Sequence, residues 1–370
     1  MAKSKYWNIQ NILATNSRYN IVFGERSNGK TYGALQYGIE RYFKDGSQIA
    51  IIRRWEEDFR NKNAQTMFDG LIANKVISKL SKGKYHGVKY QSHRWFFTRT
   101  VEHENGEDEL IIDREPFAYA FALSSDEHYK STSYPKIKTI VFDEFLTRNV
   151  YLQDEFVRFT SVLSTIIRLR DDVIIFMLGN TVNKFSPYFK EMGLKNIDKM
   201  QRGKIDVYTY GDTGLRVAVE YSDFPTKEKK SNVYFAFNNP KLNMIKDGSW
   251  EIDIYPHLPM KYKPKDIQYT YFIDFEDIIL QCEIIRVEDY LFTYIHRKTT
   301  PIKDDETNIV YSTTTNVKSN YRRKITKPQS AIERNIVWFF NRDKVFYQDN
   351  DVGEVVRNYI IWCGGLPSIR

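Results

Sequence analysis

Cysteine is scarce in this chain. Cys282 and Cys363 are the only two, which excludes a disulfide framework or a cysteine-built zinc cluster and suits a reducing compartment. The six histidines are scattered without metal-ligand spacing, so surface or core positions are their ordinary use. No apolar run approaches the roughly 18 residues of a membrane-spanning helix. The opening stretch MAKSKYWNIQN lacks the apolar segment of a secretory signal. There is neither an internal repeat nor a low-complexity tract, so solenoid and disordered readings fall away.

What is present is an ordinary globular composition with an aromatic surplus. The 370 residues are 42% hydrophobic and 28% charged, with 26 Tyr and 24 Phe, enough for two or three domains with a sizeable core. The net charge of +8 and a pI near 9.1 favour an anionic partner such as nucleic acid.

The stretch RYNIVFGERSNGKTYGALQYGIERYFK contains GERSNGKT, Gly24 to Thr31, which fits G-x-x-x-x-G-K-[ST] without a gap. Its context also fits. Ile21, Val22 and Phe23 read as a buried strand, and Ala34, Leu35, Ile39 and Phe43 recur at mostly helical spacing. Gly24 and Gly29 let the loop turn its N–H groups towards phosphate, and the helix start adds partial positive charge. Arg26, Ser27 and Asn28 complete the phosphate-binding loop. Lys30 is expected to reach the β- and γ-phosphates of the nucleotide, and the Thr31 hydroxyl to ligate Mg²⁺.

A second motif lies in KIKTIVFDEF, Lys136 to Phe145. The apolar run Ile140 to Phe142 ends in two acids, a Walker B pattern on a buried strand. Asp143 would hold Mg²⁺ opposite Thr31. Glu144 is placed to polarise an attacking water, which suggests hydrolysis coupled to work. A regulatory GTPase would show D-x-x-G here and N-K-x-D later; VNKFS at 182–186 lacks the Asp, so ATP is preferred over GTP. Strand 173–178 ends in GNT, making Asn180 a candidate γ-phosphate sensor if this strand neighbours the Walker B strand.

The first half alternates strands at 19–23, 48–53, 138–142 and 173–178 with helical patterns at 31–44, about 57–80 and 152–169, implying a largely parallel sheet with helices on both faces. Between 84 and 122, YHGVKYQ, HRWFFTRT, ELIIDRE and FAYAFAL read as an antiparallel excursion, with FAYAFAL a candidate to rejoin the main sheet. DVYTYG and LRVAVEY extend this first domain to 222. A charged, proline-bearing stretch over 223–260, with Phe235, Phe237 and Leu242 in a short segment, reads as a linker. Over 261–370 a three-stranded meander is followed by helical patterns near 328–341 and 351–363, a small α/β or α+β domain. Asp274, Glu276 and Asp277 read as acids of the first meander turn or its edge. The basic stretch KSNYRRKITK, with Lys318, Arg322, Arg323, Lys324 and Lys327, reads as a solvated loop or a seat for nucleic acid.

The segments NIVFGERSNGKTYG, IAIIRRW, YKSTSYPKIKTIVFDEF and TIIRLR resemble the DNA-packaging (encapsidation) ATPases of small phi29-like tailed phages, ring-forming P-loop ATPases of the ASCE class. The resemblance is close from about Tyr6 to Phe189. It implies a homopentameric ring at the portal of an empty viral shell, in the host cytoplasm, that pumps double-stranded DNA inward on ATP hydrolysis, with a structural prohead RNA as an optional further partner. It also implies roles: Asp143 and Glu144 as metal-holding and catalytic acids, Arg168 as an arginine finger entering the neighbouring subunit's site, Lys130 as a pore-side DNA contact, and Arg26 as a phosphate contact in cis. One departure is Glu56, followed by Glu57 and Asp58, where the family type member has a DNA-contacting lysine; Arg60 and Lys62 are candidate replacements. The C-terminal domain is expected to resemble a degenerate RNase H-type nuclease. Two other readings stay open: a terminase-like motor whose C-terminal domain still cuts DNA, and a nucleotide-dependent DNA-binding scaffold.

Overall fold

The structure, a computed structural model, describes residues 7–103, 108–129, 132–223, 250–303 and 307–365. Lys130 and the Phe235–Leu242 segment lie outside the described residues. The chain divides into two compact units, Met1–Glu251 and Ile252–Arg370, a division that falls inside the segment read as a linker.

Among the described residues the first unit holds a ten-stranded sheet. Its strands are β1 (Tyr19–Gly24), β2 (Gln48–Arg53), β3 (Gly87–Gln91), β4 (Arg94–Glu102), β5 (Asp108–Ile112), β6 (Ala118–Ala122), β7 (Ile137–Asp143), β8 (Ile174–Asn180), β9 (Lys204–Tyr210) and β10 (Leu215–Ser222). The order is β3-β4-β6-β2-β7-β8-β1-β10-β9, with β5 on β4. The run β6-β2-β7-β8-β1-β10 is parallel throughout. FAYAFAL therefore does rejoin the main sheet, as β6 beside β2.

The parallel strands read as unbroken apolar runs because both of their faces are covered. Ile21, Phe23, Ala50 and Ile52 belong to one apolar layer, and Val22, Ile49 and Ile51 to the other, as the alternation of side chains along a strand requires. The first layer packs under α6 (Glu155–Ile167), which contributes Phe159, Val162, Leu163 and Ile166. The second packs under α1 (Ile9–Leu13) and α2 (Lys30–Asp45). Asn180 stands opposite Gly24, and Asp143 opposite Leu178. The carboxyl ends of β1, β7 and β8 thus lie side by side, where ligands of open α/β sheets bind.

The single helix expected over 57–80 is a correction. The chain breaks there into a turn at Glu56–Phe59, α3 (Asn61–Gln65), a turn at Thr66–Phe68, α4 (Asp69–Ala73) and α5 (Val76–Leu80). Arg60 takes ψ 142° and Lys75 a left-handed φ of 55°, so the ladder cannot run through. Phe59, Phe68, Leu71 and Ile77 are all buried, which is why their spacing read as one amphipathic helix.

The second unit holds a sheet ordered β15-β14-β11-β12-β13-β16. Its meander, β11 (Ile267–Phe275), β12 (Ile278–Val287) and β13 (Tyr290–Arg297), is as expected. Parallel strands β14 (Val310–Ser312), β15 (Tyr321–Arg322) and β16 (Val345–Tyr347) extend it at the edges. Helices α7 (Ala331–Asn341) and α8 (Asn350–Trp362) follow the sequence pattern. Asp274 stands at the edge of the first meander turn. It lies within β11, while Glu276 and Asp277 form the turn with φ of 52° and 62°.

Candidate nucleotide-binding site

A cleft of about 590 Å³ opens at the ends of β1, β7 and β8, lined by Arg26 to Thr31, Asp143, Glu144 and Asn180, and further along by Tyr32, Gly70 and Asn74. The volume is in the range of small-molecule sites. The structure thus brings together all but three of the sequence-selected site residues. Gly24 lies just below the cleft. Arg168 stands apart from it, and Lys130 lies outside the described residues.

Lys30 begins α2, with Gly29 before it at a left-handed φ of 88°. The ammonium group is buried. It donates to the Glu25 carbonyl at 2.6 Å, to Asn28 Oδ1 at 3.1 Å and to Asn180 Oδ1 at 3.4 Å. Burial lowers its pKa to about 8, against the pull of Asp143, Glu25 and Glu220. The Thr31 hydroxyl donates to Asp143 Oδ1 at 2.8 Å. Two oxygens are therefore paired at the cleft floor, the ligand type a hard divalent cation prefers.

Arg53, at the end of β2, was missed by the sequence reading. Its guanidinium contacts Asp143 Oδ2 and Glu144 Oε2, both at 2.7 Å. Burial works against its charge, but Asp143 and Glu144 outweigh it and hold Arg53 more firmly cationic than usual. Glu144 is exposed and sits at φ 58°, a conformation that non-glycine residues seldom adopt. Arg54, which follows Arg53, is buried. It donates to Glu155 at 2.8 Å and to the Phe145 carbonyl at 2.7 Å, while Tyr188 OH donates to Glu155 at 2.7 Å. This network joins the loop after Glu144 to the start of α6. The available signal was IIRRW, two arginines at the exit of a buried strand.

The loop is shaped from behind by β10. A Cβ on Gly24 would fall 2.2 Å from Ser222 Oγ, so glycine is required there by close packing as well as by the motif. Asn28 donates to the same Ser222 hydroxyl at 2.8 Å while its Oδ1 accepts from Lys30, so its side chain braces the loop. Glu220 is buried beneath, and burial raises its pKa to about 7, partly offset by Trp7 and Lys30. Arg26 pairs with Glu251 at 3.1 Å.

At the other end of α6, two arginines differ. Arg170 is tied to the carbonyls of Tyr134, Pro135, Ile137 and Ile166. Arg168 is exposed and donates to the Thr132 carbonyl at 3.1 Å. Arg168 is thus the one at the surface; Arg170 fastens the helix end. Lys62 is exposed and Glu56 faces His93 at 3.3 Å.

In the second unit Asp274 accepts from Ser312 Oγ at 3.0 Å. Glu333 pairs with Arg322 and Glu354 accepts from Tyr255 OH, each at 2.9 Å. Among the described residues no three acids, histidines or cysteines gather as a metal site. Arg322 of the basic stretch is held by Glu333, whereas Arg323 and Lys324 lie over the Trp362 ring at 5.2 and 5.9 Å.

The family model for the Podovirus DNA encapsidation protein (Gp16) matches residues 1–86 and 95–346. The chain belongs to this family. The DNA packaging protein of Bacillus phage phi29 is 26% identical to it over 235 residues, 62% of this encapsidation-family chain and 61% of the relative. The match thus spans about three fifths of that relative's length. Among solved structures, the bacteriophage Phi-29 viral genome packaging motor assembly aligns over 96% of this chain and 97% of its own at 20% identity, with a TM-score of 0.56. The Phi-28 gp11 DNA packaging motor aligns over 97% and 98% at 18% identity, with a TM-score of 0.52. At these identities the likeness establishes a shared fold. Among the described residues no helix is long and apolar enough to cross a membrane.

Proposed function

We propose that this chain is an ATP hydrolase that drives double-stranded DNA into a viral prohead, working in the host cytoplasm as a homopentameric ring at the portal. The observation that carries the reading is the convergence of Lys30, Thr31, Asp143, Glu144 and Asn180 on adjacent strand ends around one cleft.

Lys30 and the loop N–H groups bind the β- and γ-phosphates, displacing the ammonium's present contacts with Glu25 and Asn180. Thr31 and Asp143 would hold Mg²⁺, which when bound neutralises charge on the β- and γ-oxygens. Glu144 orients the attacking water and takes its proton, steadied by Arg53. Asn180 sits within reach of Lys30 and fixes the γ-phosphate end. Arg168, exposed at the end of α6, supplies an arginine fork to the neighbouring subunit's site, where charge spreads in the transition state. Lys130 contacts DNA phosphates, and the net charge of +8 favours the same partner.

The test is ATPase activity against protein concentration, with and without double-stranded DNA. Specific activity should rise as subunits assemble and rise further with DNA. A constant specific activity, indifferent to DNA, would contradict a shared-site motor.

A further inference from the structure

The cleft continues beyond the phosphate-binding loop. Lys30, Asp143, Glu144 and Asn180 mark its γ-phosphate end. Its other wall is made by Tyr32, Gly70 and Asn74, from the first turn of α2 and from α4 with its C-cap. Tyr32 directly follows Thr31. A triphosphate lying along the loop therefore delivers its nucleoside to this second wall.

That wall has the chemistry of a base site. The half-buried Tyr32 offers an aromatic face. A methyl added at Gly70 would sit 3.5 Å from the Tyr32 ring, in ordinary contact, and a larger side chain there would cover ring surface that now lines the cleft. Asn74 donates its amide N–H to Tyr32 OH at 3.2 Å, which orients its Oδ1 acceptor. An acceptor suits the exocyclic amine of adenine and opposes the carbonyl that guanine carries at the equivalent atom.

We infer that Tyr32 stacks the nucleotide base and that Asn74, held by the Tyr32 hydroxyl, selects adenine over guanine, with Gly70 keeping the ring accessible. This rests on reading the cleft as a nucleotide site. It assigns specificity to residues outside both Walker motifs.

The test is calorimetric binding of ATP, GTP and inorganic tripolyphosphate to the full chain and its variants, with melting temperatures as a check on folding. Tyr32→Ala should weaken ATP about tenfold, equivalent to about 1.4 kcal/mol and within the ~1–3 kcal/mol of base–aromatic stacking. It should leave tripolyphosphate binding unchanged. Tyr32→Phe should keep ATP affinity within about threefold but narrow the ATP-to-GTP ratio, and Asn74→Ala should narrow that ratio likewise. Gly70→Val should weaken ATP and not tripolyphosphate, a second route to the same answer if Tyr32→Ala folds poorly. Unchanged ATP affinity in Tyr32→Ala and Gly70→Val overturns the assignment, as does equal loss for ATP and tripolyphosphate; Tyr32 then merely ties α4 to α2. Wild-type protein that binds neither ligand overturns the nucleotide reading of the cleft as well.

Discussion

Replacing Arg53 with alanine should separate hydrolysis from binding. Arg53 is 18% exposed and makes two contacts at 2.7 Å, one to each acid of the Walker B pair. Without it, Asp143, only 8% exposed, keeps the Thr31 hydroxyl but loses its cation, and the adjacent Glu144 charge is no longer balanced. Leaving a buried hydrogen-bonded carboxylate short of one partner costs about 1–3 kcal/mol, so the urea midpoint should fall. Glu144 is exposed and its backbone is left-handed, so Arg53 is what steadies its carboxylate. Losing a positioned acid or base reduces turnover by about 10²–10⁴-fold; Arg53→Ala, which misplaces rather than removes the group, should sit near the lower end. ATP affinity should stay within about threefold, because Lys30 and the loop are untouched. Arg53→Lys should restore charge without the fork and rescue only part of kcat. Steady-state kinetics with equilibrium ATP binding measure both quantities. Wild-type kcat and an unchanged urea midpoint in Arg53→Ala would refute the reasoning.

Lys30 has a folded pKa of about 8, below its ordinary value because of burial, so nucleotide binding at pH 8.5 should take up protons as the ammonium is restored; calorimetry in two buffers of different ionisation enthalpy reads this, and Lys30→Ala should abolish it. The same shift makes the nucleotide-free protein gain stability as pH rises from about 8 towards 10.5, where the unfolded chain binds the extra proton. Glu220, raised to about 7 from 4.5 mainly by burial, contributes stability that is whole below pH 4.5 and lost as pH rises through 7. Glu220→Gln should therefore be more stable than wild type at pH 8, by at most about 3 kcal/mol, and no more stable at pH 4; urea midpoints at the two pH values check this. Neither Arg168→Ala nor Glu144→Gln alone should hydrolyse ATP, yet mixing them should restore activity, because mixed rings pair wild-type Glu144 with wild-type Arg168. Failure to rescue, with subunit exchange demonstrated, would place Arg168 in cis or in a structural role.

The strands around the cleft were legible because parallel strands covered on both faces write themselves as apolar runs, and the loop because its glycines and lysine occupy fixed positions. The helix ending at Arg168 was legible from its buried face, Phe159, Val162, Leu163 and Ile166. Arg53 was not legible as a clamp, since Asp143 lies 90 positions away. The bracing of Asn28 by Ser222, 194 positions on, was hidden for the same reason. The 57–80 segment misled because its buried residues keep helical spacing across breaks that Arg60 and Lys75 impose through backbone angles alone.

The central claim is that hydrolysis in this cleft moves DNA. Its most direct test is DNA packaging in vitro: purified proheads of the parent phage, linear double-stranded DNA, ATP and this chain, followed by nuclease digestion. Wild-type protein should yield nuclease-protected DNA that grows with time and ATP, while Glu144→Gln, binding ATP normally, should yield none. Protection that is equal with the two proteins, or independent of ATP, would contradict the account.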